Sequence, residues 1–292
     1  MYAVSEDVRC KPGSRRKGLL RNGCNNTGGE GGTPYVGGAC ISGTQGSGAV
    51  FFSGCSLRCI FCQNFEIAEG NCAKEISGER LSEIFLELQE QGAANINLVT
   101  AAHYVPAVIE SLKKAKAQGM DLPVIYNSSG YERVETVQML EEVVDVWLPD
   151  FKYMDSKLAF AYSRAKDYPE VTRAAIREMM KAAGTCAYDE DGYIQKGVIV
   201  RHLILPGHTK NSIAVLDELY GTYGDDLTIS LMNQYTPLPQ VWNIPDLNRR
   251  VTKREYEKVL DHALDLGITQ GFFQEGGTAK ESFIPLFDYE GL

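Results

Sequence analysis

Three cysteines, Cys55, Cys59 and Cys62, follow directly after the apolar run at residues 49–53. Their C-x3-C-x2-C spacing puts three thiolates on one tight loop, close enough to bind three irons of a cubane cluster. Iron–sulfur clusters are normally held by four cysteine thiolates, and this loop offers three. The spacing therefore predicts a cluster whose fourth iron is open to another ligand.

Two other interpretations of these cysteines stay open on sequence alone. They can form a zinc site with Cys72 as the fourth ligand, or they can be ordinary thiols on a structural loop. Zinc sites usually pair one C-x2-4-C motif with a second, distant pair, and after Cys72 the chain has only Cys186. The spacing, and the position after a predicted strand, favour the cluster.

The composition is that of an ordinary folded chain. Its 292 residues, 44% of them hydrophobic, are enough for one large α/β domain or two small ones. No apolar run approaches the roughly 20 residues that span a bilayer, and the basic N-terminus lacks the apolar core of a secretory signal. We expect a cytoplasmic location, which keeps thiolates reduced. The formal net charge of −9 argues against a nucleic-acid substrate.

The chain divides by composition near residue 45. Residues 1–45 are rich in glycine and show little apolar periodicity, so we expect an irregular lead-in. In residues 46–292, short β-like runs alternate with amphipathic helices, which predicts one core domain with a short C-terminal extension.

The alternating pattern predicts an α/β fold. Strands are predicted at residues 49–53, 95–99, 123–126, 143–148, 197–205 and 227–232, with a short one at 271–274. Helices are predicted around residues 81–88, 105–117, 169–183, 212–220 and 252–266, the last opening with a capping box at Thr252 and Glu255. Such βα units imply a parallel sheet with right-handed crossovers. A barrel and a doubly wound open sheet share this local pattern.

Polar side chains follow the predicted strands. In βα barrels the reactive groups gather at the carboxyl ends of the strands. The candidates there are Thr100, Asn127, Ser129, Asp150, Lys152 and Arg201. Lys152 or Arg201 can supply a cation for a ligand carboxylate, and Asn127, Ser129 or Asp150 can bond hydroxyl groups. Alternatively, Asp150 and Lys152 form a surface ion pair, worth about 0–1 kcal/mol.

The histidines near these strand ends have open roles. His103 is either a site residue or a packed histidine. Arg201 and His202 alternate along one strand, so only one of them faces the barrel interior, and we predict that it is Arg201. His208 follows a Pro-Gly turn, where a capping or surface role competes with a role in the site.

Longer runs of the chain resemble a known family. The cysteine loop resembles that of the radical S-adenosylmethionine (SAM) superfamily. Residues 43–64, 95–104, 148–153 and 200–207 are together similar to its pyruvate formate-lyase activating enzyme-like family, specifically the PflX branch. The resemblance spans roughly residues 40 to 274.

The resemblance implies a partial (β/α)6 TIM-like barrel with a [4Fe–4S] cluster on Cys55, Cys59 and Cys62. SAM would be chelated at the open iron, with main-chain atoms around Phe61 and Gln63 beside its adenine. Electron transfer from the cluster would cleave SAM to a 5′-deoxyadenosyl radical, so that the cofactor carries the hard chemistry.

The resemblance also implies contacts and partners. Asp150 and Lys152 match the acid-x-lysine run with which glycyl-radical activases contact SAM. Those activases abstract a hydrogen atom from a backbone glycine of a partner enzyme. The implied partners are therefore a glycyl-radical enzyme and an external electron donor such as flavodoxin or ferredoxin.

The chain departs from the activase pattern at two barrel positions. Activases carry a Gly-Gly-Glu after the second strand, where this chain has residues 100–102, so Thr100 or a carbonyl beside it would replace that contact. The two Gly-Gly-Glu look-alikes, at residues 28–30 and 275–277, stand at the wrong place in the barrel order. Activases also place a histidine after the sixth strand, where this chain has Gln234 and Tyr235.

The cysteines outside the loop have no assigned role. Relatives in the PflX branch open with a cysteine-rich segment, of which Cys10 and Cys24 remain here. These two and Cys40 are spaced too widely for one cluster, although a second metal centre stays open. Cys72 and Cys186 are expected to be structural thiols.

Three hypotheses on the whole protein follow. The leading one is a radical SAM enzyme that removes a hydrogen atom from a polypeptide, first of all from a glycyl-radical enzyme. The second is the same chemistry on a small metabolite or a peptide under modification. The third, of a different class, is a non-catalytic metal-binding or redox protein, which would not need polar groups at successive strand ends.

Overall fold

The fold alternates strands and helices, described in a computed structural model over residues 19–21, 38–43, 45–70 and 73–273. The strands are β1 (Leu19–Arg21), β2 (Gly48–Phe52), β3 (Ile96–Val99), β4 (Val124–Ser128), β5 (Val146–Pro149), β6 (Ala187–Tyr188), β7 (Ile194–Leu203), β8 (Thr228–Met232) and β9 (Gly271–Phe273). The helices are α1 (Gly38–Ser42), α2 (Phe65–Ala68), α3 (Gly78–Glu90), α4 (Val105–Ala117), α5 (Val134–Leu140), α6 (Ser156–Ser163), α7 (Tyr168–Ala183), α8 (Thr209–Tyr223) and α9 (Lys253–Asp265). A 3₁₀ helix, Ala101–Tyr104, separates β3 from α4.

Parallel pairing dominates the sheet. β2, β3, β4, β5, β7, β8 and β9 pair in that order, all parallel. β1 adds an antiparallel edge beside β2, and β6 forms an antiparallel pair with β7 outside the order. Within the described ranges β1 and β9 do not pair, so the barrel is open. This confirms the predicted α/β class and partial barrel, and the six main predicted strands correspond to β2, β3, β4, β5, β7 and β8.

The strands pack differently on their two faces. On the outer face they form the main core with the helices. On the inner face, Ile125 and Ile199 belong to a smaller cluster that includes Ile41 of α1. Asn95, just before β3, donates a hydrogen bond from Nδ2 to the carbonyl of Ile41. Helix α1 therefore packs into the amino-terminal end of the open barrel.

The stretch expected to be irregular contains two short elements, β1 and α1. β1 has three residues and α1 has five, which is too short for a periodic apolar pattern to appear. Their stabilisation comes from contacts with β2 and with the barrel interior. Most of the other residues before position 46 lie outside the described ranges.

Helix boundaries follow local capping signals. α4 has the predicted bounds, and α9 opens with the predicted capping box, in which Glu255 N–H donates to Thr252 Oγ1 at 3.3 Å. The short helices α2, α5 and α6 were missed, although Asp155 caps α6 by accepting from Lys157 N–H at 2.7 Å. Of the helices in the described residues, none has both the length and the apolar character to cross a membrane.

Gly130 brings the loop after β4 against the end of β5. Its φ is 74°, and a Cβ placed there would lie 2.1 Å from the carbonyl oxygen of Asp150. Only glycine tolerates both this backbone conformation and so close an approach. The polar residues that follow β4 and β5 are therefore held side by side.

We expect Gly130→Ala to lower the free energy of unfolding by at least about 2 kcal/mol, because the methyl group meets a carbonyl oxygen and the backbone becomes strained. Urea denaturation followed by circular dichroism measures the effect. The matched control is Gly221→Ala in α8, where an added Cβ meets no heavy atom within 4 Å. There we expect a gain of about 0.5–1 kcal/mol, and equal effects at the two positions would contradict the close approach.

Candidate active site

The cysteine loop begins where β2 ends, at the carboxyl edge of the sheet. Gly54, with φ of 88°, turns the chain out of the strand. Its N–H donates to the Ile67 carbonyl at 2.9 Å, and the N–H of Cys55 donates to the Ala68 carbonyl at 3.1 Å. Because α2 follows the loop in the chain, these bonds hold the start of the loop beside its end and keep the three cysteines close together.

The end of α6 holds the middle of the loop. The N–H of Ile60 donates to the carbonyl of Tyr162 at 2.9 Å. Ser163, the last residue of α6, donates from Oγ to the sulfur of Cys59 at 3.0 Å. The loop is thus fixed by both a backbone bond and a side-chain bond to one helix end.

The three cysteines are half-buried, and their thiols influence one another. Burial, and after it the charge of Cys59, raises the pKa of Cys55 to about 12 and that of Cys62 to about 11. A bound cation is therefore needed to hold these sulfurs as thiolates at neutral pH.

The donor set of the loop fits a cubane cluster. Three cysteines lie on one short segment that is fixed at its ends and in its middle, and each thiolate can bind a different iron. Among the described residues, no three His, Cys, Asp or Glu side chains converge on a single metal ion. Cys72, the fourth ligand of the zinc interpretation, lies outside those residues, so that interpretation stays untested.

Four predicted site residues form one polar network across β4, β5 and β7. Lys152 donates from Nζ to Oδ2 of Asp150, and Nη2 of Arg201 lies 2.7 Å from Oδ1 of the same carboxylate. The Arg201 guanidinium also donates to Oδ1 of Asn127 at 2.7 Å. The Asp150 side chain is 16% exposed and that of Arg201 19%. Arg201 therefore faces the barrel interior, and the Asp150–Lys152 pair is not a surface ion pair.

Charge coupling joins this network to the cysteine loop. Burial acts to raise the pKa of Asp150, but the charges of Arg201 and Lys152 outweigh burial and hold it below its usual value. Burial likewise acts to lower the pKa of Lys152, and Asp150, followed by Cys59, raises it instead. The ammonium group is therefore within electrostatic reach of the Cys59 sulfur, and loop and network belong to one site.

Tyr168, which sequence analysis did not single out, fixes the backbone of this network. Its buried hydroxyl oxygen lies 2.8 Å from the Ser129 carbonyl oxygen and 2.9 Å from that of Asp150, and it accepts from Lys152 N–H at 3.0 Å. The half-buried Ser129 also accepts from Tyr131 N–H at 3.4 Å through Oγ. A tyrosine at a helix start carries no sequence signal for this role, which exists only once β4 and β5 are adjacent.

Phe61 packs into an aromatic group beside the loop. Its ring centroid lies 6.5 Å from that of Tyr162 and 6.1 Å from that of Tyr235, both edge-on. The side chain is buried, and the nearby Gln63 is half-buried. Tyr235, at the position where the resemblance expects a histidine, donates from its hydroxyl to the carbonyl of Leu247 at 2.8 Å.

Thr100 directly follows β3 in an unusual backbone conformation. Its φ of 63° lies in the left-handed region, where a β-branched residue is a genuine outlier. Its N–H donates to the Asn127 carbonyl at 2.9 Å, and Tyr104 in the following 3₁₀ helix donates from its hydroxyl to the Ser53 carbonyl at 2.9 Å. Such strain concentrates at functional sites, which supports the choice of Thr100 as a candidate.

The histidines separate into different environments. His202 is fully buried, with Nε2 2.9 Å from Oγ of Ser212 and Nδ1 2.7 Å from a backbone carbonyl, so it is a packed histidine. His208 lies outside the strand-end network, with Nε2 2.9 Å from the hydroxyl of Tyr162. His103 is exposed near the start of the cysteine loop.

The remaining cysteines lie away from the loop or outside the described residues. Cys40 and Cys186 belong to the cluster at the amino-terminal end of the barrel. Cys10, Cys24 and Cys72 are outside the described ranges, as are both Gly-Gly-Glu look-alikes. Their possible roles stay predictions.

Residues 49–219 match the family model of the Radical SAM superfamily. The match covers more than half of the chain, and the chain belongs to this superfamily. Radical SAM enzymes use a [4Fe–4S] cluster and S-adenosylmethionine, and these are the cofactors of this enzyme.

A relative described as uncharacterized matches this chain over most of its length. An uncharacterized protein of Methanocaldococcus jannaschii is 29% identical over 224 residues, which cover 74% of this chain and 62% of that protein. This chain thus matches less than two thirds of the relative's length.

Solved structures share the fold at low sequence identity. SuiB of Streptococcus suis bound to the precursor peptide SuiA has a TM-score of 0.51 at 12% identity, covering 77% of this chain and 48% of that chain. SuiB bound to S-adenosylmethionine has a TM-score of 0.51 at 14% identity, covering 77% and 49%. Methylornithine synthase has a TM-score of 0.50 at 13% identity, covering 82% and 77%. At these identities the similarity is one of fold.

We expect Asp150→Asn to lower the free energy of unfolding by about 3 kcal/mol, because Lys152 and Arg201 would keep buried charges without their carboxylate. Urea denaturation of the reduced protein measures the change. The control is Glu142→Gln, which removes an exposed ion pair to Lys113 of 3.1 Å, where we expect less than about 1 kcal/mol.

The pH dependence of this difference provides a second readout. Because the pKa of Asp150 is lowered on folding, its contribution is fully present above the unfolded value of about 3.9 and is lost as the pH falls through the folded value. The difference in free energy of unfolding between wild type and Asp150→Asn should therefore be constant above that range, and the two values should converge in acid. A difference that grows on acidification would contradict the ion-pair account.

Proposed function

We propose that the cluster of this radical SAM enzyme is held by Cys55, Cys59 and Cys62, with SAM at the carboxyl ends of the strands. When bound, these cofactors supply a 5′-deoxyadenosyl radical that removes a hydrogen atom from the substrate. The observation that carries the proposal is the hydrogen-bonded link between the strand-end network and the cysteine loop. Tyr153, the residue after Lys152, is joined through the hydroxyl of Ser163 to the sulfur of Cys59. In keeping with this link, the charge of Cys59 contributes to the raised pKa of Lys152, after that of Asp150. A cation suited to the SAM carboxylate would thus serve the same site as the cluster ligands.

The strand-end network would bind the polar parts of SAM. Lys152 and Arg201 together with Asp150 sum to one net positive charge, which complements a carboxylate in a site largely screened from water. Asn127, Ser129 and the Asp150 carboxylate offer acceptors and donors to the ribose hydroxyls.

The remaining candidates would bind the two ends of SAM. The ring of Phe61 is buried against Tyr162 and Tyr235, so main-chain atoms of Phe61 and Gln63 would contact the adenine. The strained Thr100 or a carbonyl beside it would take the amino group, in place of the Gly-Gly-Glu of activases. Its fixed left-handed conformation supports a preformed contact.

For the substrate we propose a polypeptide, first of all a glycyl-radical enzyme. The support is the resemblance of residues 43–64 and of the Asp150-x-Lys152 run to the activases of the PflX branch. Reduction of the cluster requires an electron from outside the chain, for which we propose flavodoxin or ferredoxin. A cytoplasmic location and a substrate other than nucleic acid belong to the same proposal, in keeping with the net charge of −9.

Modification of a peptide is the second candidate. Thr100 and Tyr235 replace the Gly-Gly-Glu and the histidine of activases, and Tyr235 is packed rather than available as a ligand. SuiB, which shares the fold, is bound to a precursor peptide in one of its structures. A small metabolite substrate is the corresponding third choice.

Anaerobic reconstitution with iron and sulfide tests the cluster and SAM assignments. After reduction we expect a [4Fe–4S]⁺ EPR signal that shifts on addition of SAM, together with formation of 5′-deoxyadenosine. Cys59→Ala should lose at least about 90% of the EPR signal and of the 5′-deoxyadenosine formed, because one of the three proposed cluster ligands is removed. The control is Cys186→Ala, which removes a thiol at the other end of the barrel and should retain them. A wild-type cluster that ignores SAM would leave a metal-binding or redox protein instead.

The activase assignment makes a separate prediction. Incubation of the reduced, SAM-loaded enzyme with a glycyl-radical enzyme from the same source should produce a stable glycyl radical visible by EPR. Labelling the partner with α-deuterated glycine should transfer deuterium into 5′-deoxyadenosine. Formation of 5′-deoxyadenosine without a glycyl radical and without deuterium transfer would contradict the activase assignment and favour modification of a peptide.

A further inference from the structure

The hydroxyl of Ser163 lies between two groups of the site. Its Oγ is 3.0 Å from the sulfur of Cys59 and 2.8 Å from the hydroxyl of Tyr153. Ser163 is 2% exposed and Tyr153 0%, so these bonds are screened from solvent. In such surroundings a hydrogen bond is electrostatically stronger than it is in water.

The direction of the bonds follows from the number of protons. A serine hydroxyl has one proton, and a cysteine sulfur bound to iron has none to donate. The Ser163 proton is therefore directed at Cys59, and the Tyr153 hydroxyl has to donate to the Ser163 oxygen. The three groups form a relay of two hydrogen bonds that ends on sulfur.

The surrounding structure fixes both donors of the relay, Ser163 and Tyr153. Ser163 ends α6, after which Arg164 adopts a left-handed φ of 56° and donates from its N–H to the carbonyl of Phe160 at 3.0 Å. Tyr153 comes directly after Lys152, and its ring packs edge-on against Tyr168 at 5.3 Å. Tyr168, which bonds to the backbone of Lys152, therefore also positions Tyr153, the first donor of the relay.

A side chain donates to the sulfur of Cys59, the middle cysteine of the loop. That donor is the hydroxyl of Ser163. The backbone bond from Ile60 N–H to the Tyr162 carbonyl does not depend on it. A substitution at position 163 can thus remove the bond to one sulfur while the backbone bond still holds the loop to the end of α6.

We propose that Ser163, oriented by Tyr153, is a positioning residue that donates a hydrogen bond to the Cys59 sulfur and raises the reduction potential of the cluster. The inference rests on the proposed function, since it requires the cluster to be bound through Cys59. Reduction adds negative charge to the cluster and its thiolates, and a donor on a sulfur stabilises that charge. The relay makes transfer of an electron from the external donor more favourable.

The test is an anaerobic redox titration of the reconstituted cluster by EPR, without SAM. In Ser163→Ala we expect the reduction equilibrium to become about tenfold less favourable, a shift of about 59 mV to more negative potential for one electron. Tyr153→Phe keeps the serine but removes its donor, and should shift the potential by less in the same direction. The control is Ser111→Ala, which removes a buried serine hydroxyl bonded to the Gly78 carbonyl and should leave the potential unchanged.

The outcomes separate this inference from the proposed function. If the wild type takes up no cluster, both fail. If it does, and the potential of Ser163→Ala equals that of Ser111→Ala, the proposed function stands and the role of Ser163 is overturned. Should Ser163→Ala fail to hold a cluster, an unchanged potential in Tyr153→Phe overturns it instead.

Discussion

The carboxylate of Asp150 lies between the ammonium of Lys152 and the guanidinium of Arg201, and the geometry of the whole site depends on this buried group of charges. Removing ions from water costs several kcal/mol for each, and only close pairing offsets that cost. Through Arg201 and Asn127 the pairing also spans three neighbouring strands. The charges that are proposed to bind SAM are therefore the same ones that align the strand ends.

Around these charges the backbone is fixed at several independent points. Gly130 allows the loops after β4 and β5 to touch, and the hydroxyl of Tyr168 bonds to both. The cysteine loop is attached to α2 at its ends and to α6 in its middle. A site fixed in this way needs little rearrangement to bind its ligands, which lowers the ordering cost of binding.

The sequence was most informative where chemistry depends on spacing along the chain. The C-x3-C-x2-C run, the strands after it and the polar residues at their ends could all be identified from sequence. Cysteine spacing, apolar periodicity and the residues that end an element are all local properties of the chain. Strand alternation indicated that only one of Arg201 and His202 faces the interior, and the structure agrees with the prediction that it is Arg201. Tyr168 and Ser163 could not be identified, since each acts on residues brought near only by the fold. α6 was missed because it is a short helix of eight residues whose apolar positions give no clear stripe.

Helix α1 limits the depth of the barrel interior. Because Ile41 and its neighbours fill the amino-terminal end, the space for ligands lies at the other end, beside the strand ends and the cysteine loop. In the proposed reaction, SAM and the reacting part of the polypeptide would share this limited space. The volume that SAM leaves free would then set the size of the substrate segment that can reach the radical.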